Sequence, residues 1–468
     1  MTSDFKLLID GKLVDGDLTL EVINPAREEV FATCARASKA QLNDAVAAAK
    51  AAFPSWSAAP TKERSQVLLA MADTIEANAG DLSRLLTQEQ GMPLGLAEID
   101  LRGCVKFFRY FAGLELTPKV VEDSPTARIE IRHRPLGVVG AIVPWNYPMT
   151  LMSFKVPAAL IAGNTVVLKP APTTPLTTLR FAALVQELAP RGTLNVITDA
   201  NDLGAEMARH PDIRKISFTG STATGKKVMA GGADTLKRLS LELGGNDALI
   251  VLDDVDPKAV ASRVFAAAMQ NAGQICIGAK RVYVHERIYD GMCAELARLA
   301  GAAVVGDGLD ERTQVGPVQN KQQFEKVLAL IDAGKKSGSL IAGGGRRGNK
   351  GYFIAPTIIR DITDGDELVD EEQFGPVIPV IRFSDPQDVV RRANSSMFGL
   401  GGSIWSNDED RAWALAESME AGTVWVNTHG ELRPHVPFGG SGFSGIGVEL
   451  GEEGLKEFTQ TQVLNMKR

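Results

Sequence analysis

Four cysteines in 468 residues, with no Cys-x-x-Cys pair and no histidine at zinc spacing, exclude a disulfide framework and a small zinc module. Cys34, Cys104, Cys276 and Cys293 are scattered and read as reduced thiols of a cytoplasmic protein. A basic excess is lacking as well: 50 Lys+Arg stand against 57 Asp+Glu, which argues against a nucleic-acid partner. Long apolar runs are missing. The most membrane-like stretch, Met149 to Leu168, carries Lys155, Pro157 and Asn164, so a buried helix followed by a strand is expected rather than a membrane span. The opening Met1-Thr2-Ser3-Asp4-Phe5 reaches Asp10 and Lys12 without an apolar stretch, so no leader segment is expected there.

What is present bounds the answer from the other side. Hydrophobic residues at 44% suffice for a sizeable core and exclude global disorder. The 46 glycines point to many tight turns or close backbone approaches. At ~150 residues per domain, the length suggests about three domains.

Helical spacing appears early, over Ala40 to Phe53 and again over Thr61 to Asn78. From Val138 the pattern becomes short β-rich runs alternating with helices: Val138–Val143, Thr165–Leu168, Leu194–Ile197, Ile213–Phe218 and Leu239–Leu241 as strands. Ala248–Leu252 is read as a further strand of this first series, and a second series runs through Arg281–Val284, Val377–Phe383, Ser403–Trp405 and Thr423–Asn427. This rhythm predicts an α/β fold with two parallel-sheet domains, helices covering both faces of each. Ala127–Arg134 breaks it by strict alternation of apolar and charged residues, as in a half-exposed antiparallel strand. Such a strand either offers an edge to another chain or packs as a hairpin on its own domain.

Three stretches stand out chemically. Gly220-Ser-Thr-Ala-Thr-Gly225 follows a strand and opens a helix, where free N–H groups can hold a phosphate. It nearly matches a P-loop, but Lys227 stands where a Mg²⁺-binding hydroxyl is required, so a nucleotide hydrolase is excluded. Asn271-Ala-Gly-Gln-Ile-Cys276 sets a thiol among small residues; a buried inert cysteine is the ordinary outcome, and no histidine lies near it in sequence. Glu242 ends a β-like run before two glycines, an odd place for a carboxylate unless it faces a cavity.

Seven motifs then occur in a recognisable order: Pro144-Trp-Asn-Tyr-Pro148, Gly163-Asn-Thr-Val-Val-Leu-Lys-Pro170, Phe218-Thr-Gly-Ser221, Glu242-Leu-Gly-Gly245, Gly273-Gln-Ile-Cys276, Glu372-Gln-Phe-Gly-Pro376 and Pro437-Phe-Gly-Gly440. Over nearly its whole length the chain resembles an NAD(P)-dependent aldehyde dehydrogenase of the hydrolytic type. The resemblance implies the aldehyde dehydrogenase fold: two Rossmann-like domains and a small β oligomerisation element. Residues 1–121 and 138–244 would form the dinucleotide-binding domain and 245–453 the catalytic domain. Residues 122–137 and 454–468 would form the oligomerisation element of a homodimer or homotetramer.

The same resemblance implies roles. Cys276 would be the nucleophile that forms a thiohemiacetal and then a thioester. Asn146 would hold the oxyanion, Glu242 would activate the deacylating water, and Glu449 would relay protons. Trp145, Lys169, Gly220, Ser221, Glu372 and Phe374 would bind the cofactor, with no metal involved. Tyr147, Leu151, Phe154, Ile275, Ile277 and Leu432 would line the substrate tunnel; nearly all are apolar, so an apolar or aromatic aldehyde is expected.

Departures from the family pattern touch the cofactor first. Three residues beyond Lys169, where an acidic residue is common, stands Pro172, so NAD is expected without NADP being excluded. Gly442 and Val448 replace a family lysine and arginine. A CoA-acylating dehydrogenase and a catalytically silent scaffold are the alternatives; Glu242, and the joint presence of Cys276, Asn146 and Glu242, count against them respectively.

Overall fold

A run that is apolar at every residue has no face to give to water. Val138–Ile142 is such a run, and it is buried on both sides at the centre of a sheet. The computed structural model describes residues 5–468, so the reading of Met1 to Asp4 as an ordinary N-terminus lies outside the described residues.

The first sheet runs in the order Lys12–Val14, Leu7–Ile9, Leu194–Val196, Thr165–Lys169, Val138–Ile142, Ile213–Thr219, Arg238–Glu242, Gly445–Ile446. Its five middle strands are parallel. Counted along the chain those five have the order 3-2-1-4-5, so the winding reverses between Val138–Ile142 and Ile213–Thr219. Loops that leave the carboxyl ends of two such strands diverge to opposite faces and open a crevice. Pro144 to Pro148 follows one strand and Gly220-Ser221 the other.

The second sheet is Ser339–Ala342, Thr357–Ile362, Val377–Phe383, Ala279–His285, Asp247–Val251, Gly401–Trp405, Thr423–Val426, parallel except for the first pair. The chain does not divide cleanly between the sheets. Gly445–Ile446, inside the expected 245–453 unit, returns to pair with Arg238–Glu242 of the first sheet.

The alternating strand, observed as Ala127–Pro135, is not an edge. It is the centre of a third, antiparallel sheet, paired with Lys119–Asp123 on one side and with Thr459–Lys467 along nine residues on the other. Alternation reports that one face is covered, which an inner strand with one wet face satisfies equally well.

The helix expected to stop at Phe53, before Pro54, runs on from Lys39 to Ala58. Proline removes one ladder bond, but Trp56 beyond it is buried and donates its indole N–H to the Leu160 carbonyl at 3.2 Å. Tertiary burial of that ring outweighs the local penalty. No helix among the described residues is long and apolar enough to cross a membrane.

Candidate active site

Cys276 sits on the loop between helix Pro257–Met269 and strand Ala279–His285. The loop is shaped by three consecutive residues with left-handed backbone, Asn271, Ala272 and Gly273, at φ of 51°, 54° and 73°. At Gly273 a Cβ would meet the Gly375 carbonyl oxygen at 2.1 Å, so only glycine fits. Gln274 pins the loop by donating to the Asn271 carbonyl at 2.8 Å while its own oxygen accepts from the Gln319 N–H at 2.8 Å.

Asn146, from the turn after Val138–Ile142, meets this loop directly. Its side-chain amide donates to the Gln274 carbonyl at 3.1 Å, and its carbonyl accepts from Asn271 Nδ2 at 2.9 Å. The residue is buried. Cys276 keeps partial contact with solvent but lies deep. Burial pushes its thiol up to about 12; the Lys280 ammonium pulls it back, and the carboxylates of Asp247, Glu372 and Glu242 add to the rise.

Glu242 ends strand Arg238–Glu242, is buried, and has no hydrogen-bond partner on either carboxylate oxygen. Desolvation first, and the nearby Glu449 second, hold its carboxyl well above the usual range; Lys155 opposes them. Glu449 is carried by a tight backbone bridge to Phe438, with N–H to carbonyl contacts of 2.6 and 2.7 Å in the two directions. Its Oε1 accepts from the Lys155 ammonium and from Ser217 Oγ at 3.1 Å. Glu449 Oε2, like both Glu242 oxygens, is unpaired. A buried acidic pair with open acceptors, compensated by one lysine, is suited to passing a proton.

Lys155 and Ser217 were not singled out in the sequence. The available signal was a lysine inside the otherwise apolar helix Pro148–Ile161, which only burial with a partner explains.

At the crevice, Ser221 caps helix Thr222–Gly232, its Oγ accepting from the Thr224 N–H at 3.3 Å. The backbone at Gly220 is bare, since a Cβ there would meet the Phe218 ring at 2.6 Å. Across the opening, Trp145 and Phe374 stand edge to face, centroids 5.4 Å apart, and Glu372 accepts the Gly245 N–H at 3.0 Å. A bare turn on a helix N-terminus, flanked by aromatic rings and a carboxylate, fits a dinucleotide. Lys169, at the end of its strand, has an unforeseen neighbour: its ammonium donates to Asp199 Oδ1 at 2.7 Å and to the Pro170 carbonyl at 3.3 Å. Asp199 Oδ2 in turn accepts the Leu203 N–H at 3.0 Å. Pro172 brings no charge to this corner.

Tyr147, Leu151, Phe154, Ile275, Ile277 and Leu432 share one apolar cluster with Cys276. Phe107, Trp425 and Phe438 belong to the same cluster, and Phe107 meets Phe154 edge to face at 4.7 Å. Gln270 Nε2 donates to the Tyr147 hydroxyl at 3.1 Å.

The profile of the aldehyde dehydrogenase family matches residues 13–464. A mitochondrial aldehyde dehydrogenase of Leishmania tarentolae is 42% identical over 98% of this chain and 94% of its own length. A phenylacetaldehyde dehydrogenase of Pseudomonas fluorescens is 39% identical over 98% and 95%. Among solved structures, an NAD+ complex of aldehyde dehydrogenase from Bacillus cereus superposes with a TM-score of 0.97 at 37% identity, covering 99% of this chain and 96% of that one. With the family matched from end to end and a thiol, an amide and an unpaired carboxylate gathered beside a dinucleotide-shaped crevice, the chain belongs to the aldehyde dehydrogenase family, as an NAD(P)-dependent enzyme that oxidises aldehydes.

Proposed function

We propose that the chain converts an apolar or aromatic aldehyde to its carboxylic acid with NAD, through covalent intermediates on Cys276. The observation that carries this reading is Glu242: a buried carboxylate with both oxygens unpaired near the nucleophile loop. Burying such a group without a partner costs several kcal/mol, and a role in the reaction accounts for its being kept there. The Cys276 thiolate attacks the aldehyde carbon, and the oxyanion is received by the Asn146 amide and the Cys276 N–H. Collapse of the adduct leaves a thioester, and NAD+, held by the crevice residues, would supply the hydride acceptor. Glu242 deprotonates the water that cleaves it, and Glu449 with Lys155 takes the proton onward.

Lys169, Gly220, Ser221, Glu372, Trp145 and Phe374 would hold the cofactor. NAD is favoured because the Lys169 ammonium is already paired with Asp199 rather than free for a 2′-phosphate. The mostly apolar character of Tyr147, Leu151, Phe154, Ile275, Ile277 and Leu432 supports an apolar or aromatic substrate, and a relative named phenylacetaldehyde dehydrogenase points the same way. Self-association is proposed through the outer strand Thr459–Lys467, whose Val463, Leu464 and Met466 are exposed and whose far edge is unpaired among the described residues.

The test is product analysis over aliphatic, aromatic and semialdehyde substrates, with each cofactor, and with and without CoA. Free acid formed from aromatic aldehydes with NAD is the expected result. Thioester release to CoA would overturn the hydrolytic assignment.

A further inference from the structure

The loop that carries Cys276 closes over a buried ammonium. Lys280, second residue of strand Ala279–His285, is 3% exposed, yet it reaches back under the loop instead of out to solvent. Its Nζ donates to the Gly273 carbonyl at 3.2 Å and, more closely, to the Ile275 carbonyl. The Ile275 carbonyl also accepts the Gly278 N–H at 3.1 Å. The same ammonium lies 5.3 Å from the centre of the Phe374 ring.

The Ile275 carbonyl and the Cys276 N–H belong to one peptide unit, and that unit is trans. In a trans unit the two groups point in opposite directions. Fixing the carbonyl on Lys280 therefore aims the Cys276 N–H away from the lysine. A cation on the carbonyl also polarises the amide and strengthens the N–H as a donor. We infer that Lys280 is a positioning residue: it orients and polarises the peptide that presents the Cys276 N–H to a substrate oxyanion, and it supplies the buried cation that favours the Cys276 thiolate. The inference rests on the proposed role of Cys276.

The surroundings define what a test must control. Asp247, Glu372 and Glu242 face Cys276 with negative charge, and Lys280 is the cation among the groups that bear on it. Lys280 is itself faced by Glu372, Asp247, Cys276 and the more distant Lys326. Removing its charge takes away the cation that most opposes the rise of the thiol, so the thiol titration must move to higher pH.

Alkylation reads this without turnover. Iodoacetamide forms an S–C bond with the Cys276 thiolate and releases iodide, so the rate follows the thiolate fraction. In the cofactor-free protein, Lys280→Met is expected to slow Cys276 alkylation at pH 8 about tenfold and to shift its pH midpoint up by about one unit. Lys280→Arg, which keeps charge and donors, should restore most of the rate. Lys280→Gln keeps one donor without the charge and serves if the Met variant does not fold; it should shift like Met. A folded Met or Gln variant with an unshifted alkylation profile overturns the inference, even if its melting temperature falls, since lost packing alone would do that. Failure of the Cys276 assignment is separable, because it would show as turnover surviving Cys276→Ala.

Discussion

Lys155 and Glu449 form an ion pair from which water is shut out, their side chains 0% and 1% exposed. Two charges leave water at a cost that mutual attraction only roughly offsets, so the pair is poor evidence for stability as such. Its setting supplies another reason for it. Ser217 donates to the same Glu449 oxygen, while the other oxygen is left open on a carboxylate whose charge raises Glu242.

Removing the lysine alone should be severe. Lys155→Met leaves Glu449 buried without its counter-charge, a loss expected at about 3–5 kcal/mol by urea unfolding. Lys155 also opposes the upward shift of Glu242. The deacylation limb of the pH–rate profile should therefore move to higher pH in whatever fraction folds. An unmoved profile would disconnect Lys155 from Glu242.

Glu242→Gln separates the two halves of the reaction. Hydride should still transfer once per site, giving a burst of NADH absorbance, after which the thioester stalls. Steady turnover should fall 10²–10⁴-fold. Loss of the burst itself would place Glu242 in an earlier step.

Activity should rise with pH through the neutral and mildly alkaline range. Burial raises the Cys276 thiol to about 12 and raises Glu242 as well. In the proposed mechanism the thiolate attacks and the carboxylate accepts a proton, so both groups work in their deprotonated forms. Raised values move both working forms to higher pH, and the two effects add in sign. A rate that falls from pH 7 to 9 would contradict this. Cys276→Ala should abolish turnover at every pH, whereas Cys34, Cys104 and Cys293, all buried away in the fold, should tolerate alanine catalytically.

The proposed preference for NAD rests on Asp199. Asp199→Asn frees the Lys169 ammonium, which can then meet a 2′-phosphate. Affinity for adenosine 2′-monophosphate, measured by calorimetry, should rise roughly tenfold or more, the worth of one charge-assisted hydrogen bond. NADP should gain on NAD in kcat/KM correspondingly. If the wild type already prefers the 2′-phosphate, the Lys169–Asp199 pair is not what selects.

Association is tested on the outer strand. Wild-type protein at micromolar concentration should scatter light as a dimer or larger. Val463→Asp with Met466→Asp places charge on an exposed strand of the third sheet and should shift the population toward monomer without a change in circular dichroism.

Local chemistry explains which of these features are legible in the amino-acid order. A glycine turn, a run apolar at every residue, or a thiol among small residues is specified within a few positions. Most strands of the two sheets and the turns at Trp145 and Gly220 could therefore be read from short windows, whereas the window around Cys276 by itself gave only a thiol among small residues. Pairings between distant segments could not. Lys155 and Glu449 are 294 positions apart, and nothing near either residue names the other. Asp199 lies 30 positions beyond Lys169, and only the adjacent parallel strands bring their ends together. The peptide geometry that aims the Cys276 N–H depends on an ammonium rising from the next strand. Whether Ala127–Pro135 was edge or centre rested on where the last ten residues docked. A charge inside a fold is tolerated only through its partners, and it was tertiary packing that chose them.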